Sequence, residues 1–248
     1  MILTLIIIMF LLLILIGKNQ GLKTIYCLII NSLLIYIYIY LTAMNVNVVF
    51  LSFILILIIT IVTLFVLNGV NEKTKSSFIS IIITMIITFL LIIIVTSNGN
   101  FQGFTNESRE LIGTYSLDIN YDMSKLFIGV ILIATIGTVI DTSISISTSL
   151  YEIHSNNKKI KSRELYNCGI NIGKDILGTT INTLVFIYFG AIITFILWNY
   201  NTDMYLIINH KMLGQEMIEF LISIIGSVII IPVTSYIVSY KFCNEEKL

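Results

Sequence analysis

Seven long apolar runs leave this chain little choice of fold: Met1 to Ile16, Ile25 to Leu41, Val48 to Leu67, Phe78 to Val95, Leu126 to Leu150, Ile176 to Trp198 and Phe220 to Val238. About 20 apolar residues in helix cross a bilayer core about 30 Å thick. Inside hydrocarbon each segment has to satisfy its own backbone N–H and C=O groups, so the β-branched Ile that fills these runs is held in helix even though it is a poor helix former in water. The fold class expected is an all-α integral membrane protein with about seven transmembrane helices, forming a single membrane domain over residues 1–248. Only 11% of the residues are charged, against about 25% in soluble domains, so the runs have no water-soluble body around them.

The same counts exclude several functions. Fourteen basic and fourteen acidic residues give a formal net charge of zero, which offers no field or basic domain for nucleic acid. Cys27, Cys168 and Cys243 are scattered, without a C-x-x-C pair, and His154 and His210 fall in separate hydrophilic loops. That spacing predicts unpaired thiols, no metal site and no cofactor. The first run has no basic residues before it and no small-x-small pattern after it, so it is expected to be a retained span rather than a cleaved signal.

Lys and Arg set the expected orientation. With the N-terminus outside, the inner loops and tail collect Lys18, Lys23, Lys73, Lys75, Lys158, Lys159, Lys161, Arg163, Lys174, Lys241 and Lys247, leaving Arg109, Lys125 and Lys211 outside. That asymmetry predicts an N-outside, C-inside topology. The tyrosines from Tyr36 to Tyr40, and Trp198 with Tyr200, then lie at the outer interface as aromatic belts. The connection from Ser97 to Lys125 carries Glu107, Glu110, Asp118 and Asp122, and its Asn106-Glu107-Ser108 triplet has the form of a glycosylation acceptor. Two readings of it stay open, a mobile polar loop and a segment that lies on the membrane or meets a partner.

Between Gly129 and Gly190 the pattern changes. Gly137, Asp141, Ser145 and Ser149 recur every fourth residue, with Thr138, Thr142 and Glu152 beside them. Positions i and i+4 share a helical face, so this is a polar, small-residue stripe on an otherwise apolar helix. Asp141 lies about 9 residues from the end of its run, or roughly 13 Å inside it. An ionisable side chain at that depth is costly and marks a functional site by default. After a basic connection, Leu165, Cys168, Ile172 and Ile176 stand opposite Lys161, Arg163, Glu164 and Asn167. This predicts an interfacial amphipathic helix over about 161–173 that bends at Gly169 and Gly173 into the sixth span. That span presents Asp175, Thr179, Asn182 and Phe186 at helical spacing, so the two polar stripes are expected to meet.

The chemistry legible here is not that of an enzyme. G-I-N-I-G-K-D has three residues between its glycines where a phosphate loop needs four, and Asp175 where that loop needs Ser or Thr. A nucleophile elbow, an H-E-x-x-H sequence and a pair of water-facing catalytic carboxylates are all missing from the sequence.

The run from Gly137 to Ile153, GTVIDTSISISTSLYEI, with SRELYNCGINIGKDILGTTINTL from Ser162 to Leu184, resembles the YibE/F-like family of bacterial multi-pass membrane proteins, and in particular its shorter, nearly all-membrane member. The resemblance covers Gly137, Asp141, Ser145, Glu152, Gly169, Asn171, Gly173, Asp175, Gly178 and Asn182. Lys174 stands where the family pattern leads one to expect Arg, which removes bidentate anion geometry. The resemblance implies the bacterial plasma membrane as location, a predicted permease of unnamed substrate, and a longer sister subunit with an extracytoplasmic domain as partner. Together with the residues it gives two functional expectations. In the first, Asp141, Ser145, Asp175, Thr179 and Asn182 form the seam of a permease or permease subunit, with Gly137, Gly169, Gly173 and Gly178 as packing or hinge positions and Lys174, Glu152 and Asn171 at the interface. Within that expectation Asp141 either binds a cation or proton or only fixes helix packing, and the permease acts with its sister subunit or as a homo-oligomer. In the second, the chain is a non-transporting membrane partner whose polar seam and outer loop dock onto a second subunit. In either case the lipid bilayer is the surrounding partner.

Overall fold

The structure is a computed structural model that describes residues 1–44, 46–99 and 123–245. Regular structure among them is entirely helical: α1 (Ile2–Ala43), α2 (Val48–Ile61) continued by a π-helical turn (Val62–Val66), α3 (Glu72–Asn98), α4 (Met123–Asn156), α5 (Ser162–Trp198), a short α6 (Met204–Ile208) and α7 (Lys211–Glu245). Six of these are long and apolar enough to cross a membrane. Most of the connection between α3 and α4, with Arg109, the four acids and the Asn106 triplet, lies outside the described residues, as does Lys247.

Six long helices stand where seven runs are legible, because the first two runs share α1. They part at Lys18, whose φ of 45° and ψ of −123° leave the helical region. The bend is sharp: a Cβ added to Gly21 would lie 1.9 Å from the Leu13 carbonyl oxygen, although residues eight apart in a straight helix are about 12 Å apart. Only glycine lets the chain fold back so closely. Helix α2 ends through Gly69, at φ +73°, with its N–H on the Phe65 carbonyl at 3.1 Å, and α3 opens with the Asn71 N–H on Thr74 Oγ1 at 2.9 Å.

Helices α3, α4 and α7 pack together at the centre, α2 lies against α4, and α5 covers α4 and α7. Leu64, Ile81, Ile92, Ile131, Leu132, Val139 and Ile230 are fully enclosed. Alongside them runs a buried lane of small hydroxyl residues: Ser76, Ser77, Ser80, Thr84 and Thr88 on α3, Thr135, Thr142, Ser143 and Ser147 on α4, and Ser223, Ser227, Thr234, Ser235 and Ser239 on α7. Ser143 and Thr234 hydroxyls meet at 3.1 Å, and most of the others donate to a carbonyl one turn back or across the contact, as Ser147 does to Lys73 at 2.7 Å. Lipid is as apolar as leucine, so helices in a bilayer hold together by close backbone approach and such bonds rather than by expelling water.

Helix α5 corrects one expectation. It is a single helix of 37 residues, about 55 Å long, and it neither breaks nor bends away at Gly169 and Gly173; the expected interfacial helix over 161–173 is its opening part. The two glycines are packing positions. A Cβ on Gly169 would lie 2.5 Å from Ser235 Oγ, and one on Gly173 would lie 2.2 Å from Ile231 Cγ2, so a helix face without side chains lets α5 sit directly on α7.

Most of the described basic residues lie toward one end of the bundle, with Lys125 and Lys211 at the other. At the basic end Gln20 Nε2 donates to the Leu67 carbonyl at 2.9 Å, Lys241 and Lys75 both pair with Glu72, and Ser162 donates to the Ser239 carbonyl at 3.2 Å. At the opposite end, by α6, the Phe195 and His210 rings lie 4.7 Å apart and the Tyr38 and Ser52 hydroxyls meet at 3.0 Å.

Candidate functional site

Asp141 sits about 27 Å along α4 from Met123 and on its exposed face, with Ser145 beside it, while Thr142, Ser143, Ile146 and Ser147 turn into the bundle. The legible stripe is therefore real but faces outward: Ser145 donates to the Asp141 carbonyl at 2.7 Å and Ser149 to the Ser145 carbonyl at 3.0 Å. What Asp141 faces is a groove of about 510 Å³ between α4, α5 and α7. Ala134, Gly137, Thr138 and Asp141 form its α4 wall, Thr179, Thr180, Thr183, Leu184, Ile187, Tyr188 and Ala191 its α5 wall, and Glu216, Glu219, Phe220 and Ser223 its α7 wall.

The groove exists because α5 diverges from its neighbours. Leu165, Gly169 and Gly173 are buried against the bundle; on the same face Leu177, Thr180, Leu184 and Tyr188 are only partly covered, and full burial returns at Ile192. Contact is regained through rings, with Tyr188 stacked on Phe220 at 5.0 Å between centroids and 21° between planes.

Three carboxylates thus line one groove, together with hydroxyls from Thr138, Thr179, Thr180, Thr183, Ser223 and Tyr188, and none of its described lining residues is basic. Carboxylate and hydroxyl oxygens are the groups that take up a proton or a hard cation, and here they are set among the apolar side chains of Ala134, Leu184, Ile187, Ala191 and Phe220. A groove of this volume lies within the usual range for small-ligand sites.

The expected seam is redrawn by this geometry. Asp141 and Thr179 line the same groove, and Gly137 lines it with nothing within 4 Å of the position of an added Cβ. Asp175 and Asn182 are exposed and are not among the lining residues. With Asn171, Lys174 and Gly178 they lie on exposed positions of α5, and Gly178 also has open space around it. Glu152 is exposed near the basic end of α4.

Glu216 and Glu219 were missed because the seventh apolar run starts at Phe220, whereas α7 starts at Lys211. Their signal is the i, i+3 spacing on a helix that begins before its apolar run does. Among the described residues no group of three or more His, Cys, Asp or Glu could hold a metal ion, and Cys27, Cys168 and Cys243 form no disulfide with one another.

A helical bundle with membrane-spanning helices and an acidic, hydroxyl-lined groove at mid-length is the class that fold and site define. The family model described as YibE/F-like protein matches residues 5–244, so the chain belongs to the YibE/F-like family. No curated protein and no solved structure matches it.

Proposed function

We propose that this chain is a non-enzymatic permease, or the membrane subunit of one, in the bacterial plasma membrane, and that the groove between α4, α5 and α7 carries a proton or small cation past Asp141. The observation that carries this reading is that Asp141, Glu216 and Glu219 all line one groove whose described lining holds no basic residue. An acid within a span costs about 2.5 to 3.5 kcal/mol on insertion scales. Packing alone does not call for that cost here, because Asp141 faces the groove and not the hydroxyl lane that joins the helices. The topology belonging to this reading is one membrane domain with the N-terminus outside and the C-terminus inside. The two halves of α1 on either side of Lys18 then count as separate crossings, which makes seven, and the basic end of the bundle faces the cytoplasm.

The test is flux into proteoliposomes. With a potassium diffusion potential as driving force and a trapped pH dye or sodium dye as probe, wild type passes protons or sodium and Asp141→Asn loses that flux while remaining monodisperse in detergent. Equal flux through both proteins, or none through either, would defeat the reading.

A second reading has its own observation. Much of the first half of α1 and of the outer half of α5 is exposed apolar surface, including Ile2, Leu15, Ile16, Phe186, Ile187 and Leu197, as expected of a subunit that docks in the membrane against a longer YibE/F-type partner or a second copy of itself. Mild-detergent co-purification from native membranes checks it: a stoichiometric partner favours the reading, and a lone monomer counts against it.

A further inference from the structure

The groove is closed at its two ends by contacts of different kinds. At the basic end the closure is backbone against side chain: Gly169 lies on Ser235 and Gly173 on Ile231, with no room for even a methyl group between them. Around that joint Leu165, Ile146, Leu150 and Val238 are fully buried, so this part of α5 is fixed to the bundle. At the α6 end the closure is made of rings, Tyr188 stacked on Phe220 and Phe195 against His210. Between the two ends the α5 face toward α7 touches little, and beyond Thr180 only Ile192 of this helix is buried. In a bilayer the open side of the groove is walled by acyl chains, so a hydrophilic solute can enter only through an end.

We propose that α5 is a lever anchored at the Gly169–Gly173 joint and that the Tyr188–Phe220 ring pair is the gate of the groove at its α6 end. A close-packed glycine joint has no side chain to rotate away and opens only by separating helices. An aromatic pair opens when one ring changes rotamer or when its helix swings by a few ångströms, the small hinge motion typical of such elements. Glu216 lies one turn nearer the α6 end than Phe220, so opening this pair lets water and a cation pass from Glu216 inward to Asp141, while the joint keeps the basic end shut. The proposal rests on the groove being the transport path, but the motion it requires can be measured without transport.

Spin-label pairs on α4 and α5 test it in nanodiscs, in a background with Cys27, Cys168 and Cys243 replaced. One pair, at Val130 and Ile193, spans the ring end; the other, at Glu152 and Glu164, spans the joint. In Phe220→Ala the outer distance should lengthen by about 5 Å or gain a second, longer population, while the inner distance stays fixed and Phe220→Tyr restores the wild-type distribution. Outer distances unchanged in Phe220→Ala, or inner and outer distances moving together, would overturn the gate. If the cysteine-free background does not fold, hydrogen exchange on the protein with its native cysteines replaces it. Residues 181–198 should then exchange faster in Phe220→Ala and residues 162–176 should not; equal change in both segments overturns the proposal. Flux that depends on Asp141 with an unmoved outer pair keeps the permease reading and rejects the gate. A moving outer pair in a protein without flux keeps the lever and rejects the permease reading.

Discussion

At the scale of single residues, what surrounds a side chain decides its role more than what it is. Gly173 and Gly178 occupy the same helix five residues apart, yet a Cβ at the first would meet Ile231 at 2.2 Å and one at the second would meet nothing within 4 Å. Gly173→Ala should therefore lower the melting temperature of the detergent-solubilised protein, with an overpacking cost of about 1 to 3 kcal/mol. Gly178→Ala should leave it unchanged or raise it by the equivalent of up to about 1 kcal/mol, the helix-propensity gain of alanine over glycine. The hydroxyl lane gives a second contrast. Ser143 shares a bond with Thr234 at 3.1 Å, whereas the buried Ser235 hydroxyl has no hydrogen-bond partner. Thermal unfolding should show Ser143→Ala losing about 0.6 kcal/mol, the mean for hydrogen bonds between membrane helices, and Ser235→Ala losing nothing.

At the scale of elements, the long apolar runs were legible because lipid dictates helix for each of them: α3, α4 and α7 lie over their runs with added turns at the ends, and α2 with its π-helical turn occupies its own run. Two elements were not. The joining of the first two runs depends on the single backbone conformation of Lys18, which no hydropathy pattern carries. The continuity of α5 depends on Gly169 and Gly173 meeting Ser235 and Ile231, residues far away in the sequence; read locally, two glycines beside an amphipathic stretch look like a bend. The same limit explains the site. A stripe at spacing four is legible because it lies on one face of α4, but which α5 residues share its groove follows from the angle of α5, so Thr180 and Thr183 line it and Asp175 and Asn182 do not. Element stability should follow burial. In detergent micelles, amides of α4 and α7 within the hydroxyl lane should exchange with deuterium most slowly, and those of residues 2–16 and 181–198 most quickly; uniform protection along α5 would contradict the divergence described above.

At the scale of the whole molecule, a tightly bonded body of α3, α4 and α7 carries a looser helix across an acidic groove, and the two together make a path only if water reaches it. A cysteine scan along α5 from residue 179 to 191, in a background without the native cysteines and in intact membranes, measures this directly with a charged, membrane-impermeant thiol reagent. The account predicts labelling at positions 179, 180, 183, 187 and 191, lowered when Asp141 is changed to Asn because the negative field that attracts a cationic reagent is weakened. It predicts protection at 182, 186 and 189, which face lipid. Labelling that followed 182, 186 and 189 instead, or that appeared nowhere along the helix, would contradict the claim that the groove beside Asp141 is the aqueous path.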